Sequence, residues 1–450
     1  MSRIGVFLKK RIVPPVICAA MVITMSDITN VNYAKQAKAA ESEVTDIVAT
    51  VPSKGKGTKE SPYIISTAGE LFGYAAIVNG DETVCDGENV KQNNKACAKL
   101  GADIDLKKKE WTPIGTKKKD ASSGAVSYDS SFLGEFDGDG HKITNMVVKS
   151  EDEDKPAGFF GCIGNETKLS SIYLKNLTIG EGSSVEAKKA AAAFVGEITQ
   201  YANVYMNNCI NKADVTISYG KGTDAGSMAG TCLGRIYIYN CMNTGKITAP
   251  KCVTAVAGWI RIGEVNSFLN VGEVNSSSGH YGEKEDGDYG DFFARGYFTS
   301  NNNVSLKTAD NYKSDKCTML SEKEIMSGKA AYLLNGRKSG NTEDGINWGQ
   351  NLSQDDMPVL YKYEQEVPES SIVYYGYKDC TAKTKSYTND KAVLKHQKAG
   401  HLYKDDSDND VNNCVFCGEK KETKQDEDKD DSDEPATYDK PVKLSKENIK

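Results

Sequence analysis

The chain has 450 residues, with 56 basic and 63 acidic side chains and a formal net charge of −7 at pH 7. This slight acidic excess argues against a nucleic-acid partner, which usually requires a basic face. Its 41 glycines and 11 prolines fit neither collagen nor a proline-rich linker, and 12 cysteines are too few for a disulfide scaffold. With only four histidines, the sequence offers little for metal or acid–base chemistry.

The N-terminal segment has the character of a secretory signal peptide. Basic residues at 9–11 precede a mainly apolar run at 12–25, which is shorter than the roughly 20 residues that span a bilayer. Small residues at 37–40 follow the pattern of a cleavage site. We therefore expect a signal peptide at 1–39 and a secreted or extracellular protein, free or cell-surface associated, with no membrane span after signal removal. An uncleaved N-terminal anchor is the alternative.

Residues 57–100 are predicted to form an N-terminal strand and a capping helix. Thr67 and Glu70 have the spacing of a capping box in front of an apolar segment at 71–78. Gly80 then supplies a stop signal. Because the end of a stacked-repeat domain exposes an apolar face, we expect this helix to cover that end.

Residues 101–310 contain a degenerate internal repeat. One marker is an asparagine near alternating apolar residues, at Asn145, Asn176, Asn208, Asn240 and Asn266. The other is a small–apolar–glycine step, which ends at Gly161, Gly196, Gly230, Gly258 and Gly296. The two markers drift together with spacings of about 26–38 residues, which indicates an array of equivalent structural units.

The short runs between these markers predict β-strands rather than helices. Each run alternates apolar and polar residues, as a half-buried strand does. One coil cannot bury its own apolar face, whereas stacked coils share a continuous core. We therefore predict a mainly β fold, a parallel β-helix solenoid, with glycines at tight corners and stacked asparagine amides along one corner. A β-propeller or a β-sandwich is the alternative.

Three motifs give this region a resemblance to a known family. They are W-T-P-I-G at 111–115, F-L-G-E-F-D-G-D-G-H-K-I-T-N at 132–145 and A-G-F-F-G-C-I at 157–163. Over about 57–360 the chain resembles the GLUG-motif surface proteins of bacteria. The resemblance implies a right-handed parallel β-helix on a secreted or cell-surface, adhesin-like protein. Some members are immunoglobulin-cleaving zinc peptidases that use H-E-x-x-H, but no histidine here is followed by Glu, so that activity is not expected.

The Asp-Gly-Asp-Gly-His segment at 137–141 has two interpretations. Asp and Gly at these positions favour a turn, in which Asp bonds to the local backbone and Gly takes a positive φ. The alternative is a metal-binding or catalytic trio of Asp137, Asp139 and His141. We favour the turn, with His141 at the start of a strand.

The cysteines of the repeat region and of the segment before it give two expectations. Cys85 and Cys97 could close a small disulfide loop in an oxidising compartment. Five others fall within coils and are expected to be buried as small apolar side chains rather than paired: Cys162, Cys209, Cys232, Cys241 and Cys252.

Residues 311–366 are predicted to hold a second capping helix and a strand. Ser321 and Glu324 form another capping box, and the helix that they open is expected to end at Gly336. Together with Trp348, this helix is expected to cover the other end of the solenoid or its side.

A small zinc-ribbon-like Cys/His module is predicted at 372–418. Its four candidate ligands are Cys380, His401, Cys414 and Cys417. The last two form a C-x-x-C pair, and the set would complete a tetrahedral site without an open position for water. A structural zinc ion is therefore a candidate cofactor, and disulfides are the alternative. An acidic, disordered tail is expected at 419–450.

No motif with firm spacing identifies a catalytic centre, and we expect a protein that is not an enzyme. The leading hypothesis is a monomeric, adhesin-like module that binds a glycan or a surface protein. One alternative is a glycan-degrading β-helix enzyme, with its site on the loops near Asp288, Asp291 and Arg295. The other is a purely structural spacer. Clustered acids in a groove would favour the enzyme, whereas a flat polar surface would favour binding or spacing.

Overall fold

The computed structural model describes a stack of coils and the elements around it. Its described residues are 47–85, 91–120, 122–218, 223–277, 291–307, 314–326, 328–336, 348–350 and 355–360, with short stretches at 373–375, 387–389, 392–397, 412–413 and 420. The chain divides into two units, Met1–Asp46 and Ile47–Lys450, and the described residues all belong to the second. The predicted signal peptide and nearly all of the predicted tail lie outside them.

The strands of the first half, in chain order, are β1 (Tyr63–Ile65), β2 (Ala98–Leu100), β3 (Ile104–Asp105), β4 (Lys118–Lys119), β5 (Val126–Ser127), β6 (Glu135–Asp137), β7 (Lys142–Thr144), β8 (Val147–Ser150), β9 (Phe160–Ile163), β10 (Ser170–Lys175), β11 (Thr178–Ile179), β12 (Ser184–Ala187), β13 (Ala190–Ala192), β14 (Val195–Ile198), β15 (Ala202–Asn207) and β16 (Ile210–Asn211). They continue as β17 (Asp214–Ile217), β18 (Asp224–Gly226), β19 (Ala229–Tyr239), β20 (Met242–Asn243), β21 (Ile247–Ala249), β22 (Ala257–Asn266), β23 (Leu269–Asn270), β24 (Val274–Ser276), β25 (Gly296–Asn301), β26 (Val304–Leu306), β27 (Thr318–Leu320), β28 (Trp348–Gly349), β29 (Val359–Leu360), β30 (Val373–Tyr375), β31 (Tyr387–Asn389) and β32 (Ala392–Gln397). The helices are α1 (Ala68–Asn79), α2 (Glu82–Cys85), α3 (Glu322–Met326) and α4 (Lys329–Leu334).

Three sheets of parallel strands run along the stack. The first has ten strands in the order β1-β2-β6-β10-β15-β19-β14-β9, and β22 and β25 continue from β19. The second has eight, in the order β27-β26-β23-β20-β16-β11-β7-β3, and the third has five, in the order β24-β21-β17-β12-β8. A short fourth sheet pairs β13 with β18. Among the described strands, antiparallel pairing occurs in β4–β5, β28–β29 and β31–β32.

Successive coils stack in register. Tyr173 pairs with Tyr205 and Tyr205 with Tyr237, so one coil takes 32 residues at this level. Parallel neighbours need long connections, and here each connection passes through the other sheets before it returns. The predicted mainly β fold of parallel, β-helix-like coils is therefore confirmed. The parallel pairing does not fit a propeller or a sandwich, whose sheets are antiparallel.

The core lies inside the coils and is built from alternate residues of each strand. In β15 the buried positions alternate with partly exposed ones, so that Ala202, Val204 and Met206 face inward. A fully buried large apolar side chain contributes roughly 1.5–3 kcal/mol. Each inward row packs on the rows above and below it, which is how the coils share one core.

The N-terminal capping helix forms as the sequence predicts. The backbone N–H of Glu70 donates to Thr67 Oγ1 at 3.1 Å, and Gly80 ends α1 with a left-handed φ of 73°. Buried residues of α1 join the main core, and Tyr74 packs against Phe136 with ring centroids 5.9 Å apart. The helix therefore packs onto the first coils, although β1 and β2 already belong to the first sheet.

The second predicted helix is interrupted. In place of one helix up to Gly336, the chain forms α3 and α4, because Gly328 adopts a left-handed φ of 88° between them. The predicted capping box is present at the start of α3, since the N–H of Glu324 donates to Ser321 Oγ at 3.4 Å. Buried residues of α4 form a second hydrophobic cluster with Trp348 and with a row from the second sheet, Met242, Leu269 and Val304. This segment therefore covers a side of the stack.

A ladder of buried asparagine amides runs along the second sheet. Asn211 Nδ2 donates to Asn243 Oδ1 and Asn243 Nδ2 donates to Asn270 Oδ1, both at 2.8 Å. Asn270 Nδ2 donates to Ser305 Oγ at 3.0 Å, and all four residues are fully buried. Each amide also donates to a carbonyl two residues ahead. Because buried amides without partners are costly, the ladder favours one register of the coils.

The asparagines that mark the repeat in the sequence form a less regular row than expected. Asn176, Asn208 and Asn240 turn one corner with φ values between 53° and 56°, and Asn208 Nδ2 donates to Asn176 Oδ1 at 3.0 Å. Asn145 turns the next corner instead, where its N–H donates to the carbonyl of Glu181. Asn266 ends β22, and Ser267 takes the left-handed position. The predicted alignment fails at both ends because the coils there differ in length.

The repeated glycines lie in strands rather than at corners, which corrects the expectation from the sequence. Gly230 and Gly258 have no positive φ. A Cβ at Gly230 would lie 2.6 Å from the carbonyl oxygen of Gly196, and one at Gly258 would lie 2.5 Å from the nitrogen of Ala225. These glycines therefore permit close approach of neighbouring backbones.

Replacing Asn243 with Ala should destabilise the protein by about 2–4 kcal/mol, because buried amides on both sides each lose a partner. Urea-induced unfolding of the purified chain measures this loss. The control is Asn275→Ala, whose partly exposed side chain bonds to Glu273 at 3.4 Å, and which should change the unfolding free energy by less than about 0.5 kcal/mol. Equal, small effects of both substitutions would contradict a stabilising ladder.

Candidate functional site

The Asp-Gly-Asp-Gly-His segment forms the expected turn. Asp137 Oδ1 accepts from the backbone N–H of Asp139 at 2.9 Å, and Asp139 and Gly140 have φ values of 47° and 77°. Each charged side chain has a separate partner at 3.0–3.2 Å, in the pairs Asp137–Lys175, Asp139–Lys99 and His141–Asp103. Burial alone would raise the pKa of Asp137, but hydrogen bonds from Asp139, Lys175 and Asn176 lower it. The segment is therefore a structural turn.

The coil cysteines are buried, as expected. Cys162, Cys209, Cys232 and Cys241 are fully buried free thiols. Burial raises the pKa of Cys232 to about 12, so this side chain stays a neutral thiol. Cys97 is also a buried free thiol, and the side chain of Cys85, its expected partner, lies outside the described part of the structure.

Arg295 belongs to a buried ion pair. Its Nη2 donates to Asp224 Oδ1 at 2.7 Å, and both side chains are largely buried. Its Nη1 lies 2.7 Å from Cys252 Sγ, and its guanidinium carbon lies 4.9 Å from the ring centroid of Trp259. Asp288, the third residue of the enzymatic alternative, lies outside the described residues. The contacts of Arg295 indicate a role in holding coils together.

Asp291 lies in a mostly buried loop position. Its two carboxylate oxygens accept from the N–H of Phe293 and from Ser314 Oγ, each at 2.8 Å. Burial raises the pKa of Asp291 to about 6, although both hydrogen bonds act in the opposite direction. The carboxylate thus ties two loop segments together.

The outer face of the first sheet carries a row of stacked tyrosines. Tyr173 of β10, Tyr205 of β15 and Tyr237 of β19 are paired in register. Their ring centroids are 4.9 and 4.8 Å apart, with interplanar angles of 12° and 9°. This spacing equals that of the strands beneath them. The rings therefore stand face to face on the sheet and present their edges and hydroxyl groups outward.

Other exposed side chains extend this row into a broad surface. Of the nine exposed large hydrophobic residues in the described part of the chain, six lie on or next to strands of the first sheet: Leu169, Tyr173, Tyr201, Leu233, Ile262 and Tyr297. Arg235 is exposed between Asn203 and Ile262 in the neighbouring row. We call these residues, with Tyr205 and Tyr237, the tyrosine face. A concentration of exposed apolar side chains on one sheet is a candidate interaction surface.

The stacking determines what the tyrosine face can bind. Both ring faces of Tyr205 are covered by its neighbours, so a sugar ring cannot lie flat against them. Burial raises the pKa of Tyr205, and the adjacent tyrosines add to this, so its hydroxyl stays protonated and able to donate. The tyrosine hydroxyls, aliphatic groups and arginine of this surface are typical of protein interfaces, and Glu135 and Glu264 continue the tyrosine row at its two ends.

This face was not expected from the sequence, although a signal is present. Tyrosine recurs with the same spacing as the asparagines, in the segments Y-L-K-N, Y-M-N-N and Y-I-Y-N. A second asparagine, at Asn211, Asn243 and Asn270, likewise recurs and forms the buried ladder.

The predicted zinc ligands, Cys380, His401, Cys414 and Cys417, lie outside the described residues, so structural zinc stays a prediction. Within the described ranges, no group of three or more His, Cys, Asp or Glu side chains is placed to hold a metal ion. The helices in that same part of the chain are all too short or too polar to cross a membrane.

Comparison with known proteins gives two partial similarities. No protein-family model matches the chain. Over 136 residues, 29% of this chain, it is 29% identical to Halomucin of Haloquadratum walsbyi, and the match spans 1% of that protein. It is also similar to the crystal structure of a "putative immunoglobulin A1 protease" from Bacteroides ovatus, with a TM-score of 0.42 and 16% identity, over 68% of this chain and 94% of the other. Neither similarity assigns an activity to this chain.

Asp291 should make the unfolding free energy depend on pH. The folded protein holds its proton up to about pH 6, whereas the unfolded chain releases it near the ordinary pKa of 3.8, so ionisation opposes folding. The contribution of Asp291 to the unfolding free energy is greatest below about pH 4 and falls by up to about 3 kcal/mol as the pH rises to 7. Carboxyls such as Asp103 and Asp137, whose pKa is lowered in the folded state, contribute in the opposite direction, so the variant is compared with the unchanged protein in urea unfolding at pH 4 and pH 7. Asp291→Asn should shift the change in unfolding free energy between these pH values by up to about 3 kcal/mol, towards greater stability at pH 7. The exposed control Glu186→Gln should show no such shift, and an unchanged pH dependence in Asp291→Asn would contradict the assignment.

Proposed function

We propose that this protein is a secreted or surface-associated, non-catalytic binding module whose tyrosine face binds a protein partner. The observation that carries this proposal is the concentration of stacked and exposed tyrosines on one side of the first sheet. Membership of the GLUG-motif surface proteins and a right-handed coil are parts of the same proposal. The match to part of Halomucin is compatible with a location outside the cell.

The tyrosine face is held in place before any partner arrives. Tyr173, Tyr205 and Tyr237 project from paired strands of a ten-stranded sheet, and each ring is restrained by its neighbour. Lys59 lies over the outer side of the Tyr173 ring, 5.7 Å from its centroid. Side chains that are already ordered lose little entropy on binding, which favours affinity.

A protein fits this surface better than a neutral glycan chain does. Aromatic stacking on sugars needs open ring faces, and the faces within the row are occupied. The available groups are hydroxyls, the edges of rings, and aliphatic side chains such as Leu233 and Ile262, which are 40% and 46% exposed. Tyrosine and arginine dominate protein interfaces, and Arg235 supplies the cation in the adjacent row.

The test uses the purified secreted chain on an array of extracellular proteins, each printed in native and enzymatically deglycosylated form, beside an array of free glycans. We expect binding to at least one protein in both forms. The triple variant Tyr173→Ser/Tyr205→Ser/Tyr237→Ser should weaken that binding about 30-fold or more, which corresponds to about 2 kcal/mol.

The matched control changes three registered positions on the third sheet, Glu186→Ser/Thr216→Ser/Thr248→Ser, and should bind as the unchanged protein does. Binding that disappears on deglycosylation would favour a glycan-binding module instead. An absence of binding to either array would favour the spacer.

A further inference from the structure

A basic cleft lies beside the hairpin of β4 and β5, on a part of the surface to which the tyrosine face contributes no residue. Its volume is about 350 Å³. Three segments of the chain line it, within 112–118, 148–150 and 155–161. This volume falls at the lower end of the range for small-molecule sites, about 300–1,000 Å³.

No acidic side chain is among the residues that line the cleft. Four lysines line it: Lys117, Lys118, Lys149 and Lys155. Lys117 is held by Glu197 at 2.7 Å, and its side chain is 17% exposed. Lys155 has a long contact of 3.7 Å with Asp152. Among the described residues neither Lys118 nor Lys149 forms an ion pair, although Lys149 lies in register with Glu186 of the neighbouring strand β12.

The cleft is framed by fixed backbone. The N–H of Gly161 donates to the carbonyl of Ile114 at 3.0 Å, which joins two of the lining segments. The largely buried pair of Lys117 and Glu197 fixes the segment that leads into the hairpin. Pro113 and Pro156 supply carbon surface to the wall. The lining therefore includes proline carbon as well as lysine ammonium groups.

We propose that this cleft binds an acidic sugar residue, whose carboxylate pairs with Lys118 and Lys149 while its ring packs against Pro113 and Pro156. A bare inorganic anion would use the lysines but not the proline surface. A neutral sugar would leave the two ammonium groups without a counter-charge. The site is separate from the tyrosine face, so the proposal stands independently of a protein partner there.

The test is ligand-observed NMR titration of the full secreted chain with D-glucuronate, D-glucose and inorganic sulfate. We expect D-glucuronate to bind with a Kd at least 10-fold below that of D-glucose, and binding to weaken between 50 and 300 mM NaCl, as screening of an ion pair requires. Lys118→Ala/Lys149→Ala should raise the Kd for D-glucuronate at least 10-fold. Lys118→Arg/Lys149→Arg should retain binding.

The matched control is Lys168→Ala/Lys251→Ala, which removes two exposed lysines elsewhere on the coils and should leave the Kd unchanged. Equal binding of D-glucose, or equal loss in both alanine variants, would overturn the proposal. Displacement of D-glucuronate by sulfate at equal concentration would also overturn it, in favour of a plain anion site. The triple tyrosine variant should bind D-glucuronate normally, so that failure of one proposal is distinguishable from failure of the other.

Discussion

The structure depends on the stacking of parallel coils in register. A single coil has too little apolar surface inside it to be stable, so each coil is stabilised by the one before and the one after. In-register stacking also places identical positions above one another at about 4.8 Å. One constraint therefore produces three observed rows: the inward aliphatic side chains, the buried asparagine ladder and the outward tyrosines.

Local signals in the sequence were sufficient where the chain itself sets the geometry. The capping box at Thr67 and the stop at Gly80 predicted α1, and the Asp-Gly turn at 137–140 formed as expected. Alternation of apolar residues predicted β-strands, although the strands vary in length from 2 to 11 residues. The strands were thus predictable from local alternation, and the stacking of coils from two markers that recur every 26–38 residues.

Features that depend on tertiary register were less predictable. Whether Asn145 or Gly138 lies beside Asn176 depends on the length of the preceding coil, which no local pattern reveals. The glycines of the repeat were assigned to corners because glycine most often serves where the backbone has a positive φ. Gly230 instead lies so close to a neighbouring backbone that a Cβ would not fit. The tyrosine face and the basic cleft likewise emerge only when separate coils are brought together.

The buried ladder has a consequence for how such a protein can change. Its steps join residues 32, 27 and 35 positions apart in the chain, yet the amide and hydroxyl contacts remain between 2.8 and 3.0 Å. The differences in length therefore lie in the segments that connect one ladder residue to the next. Connecting loops of different length are therefore compatible with the same distance between stacked coils.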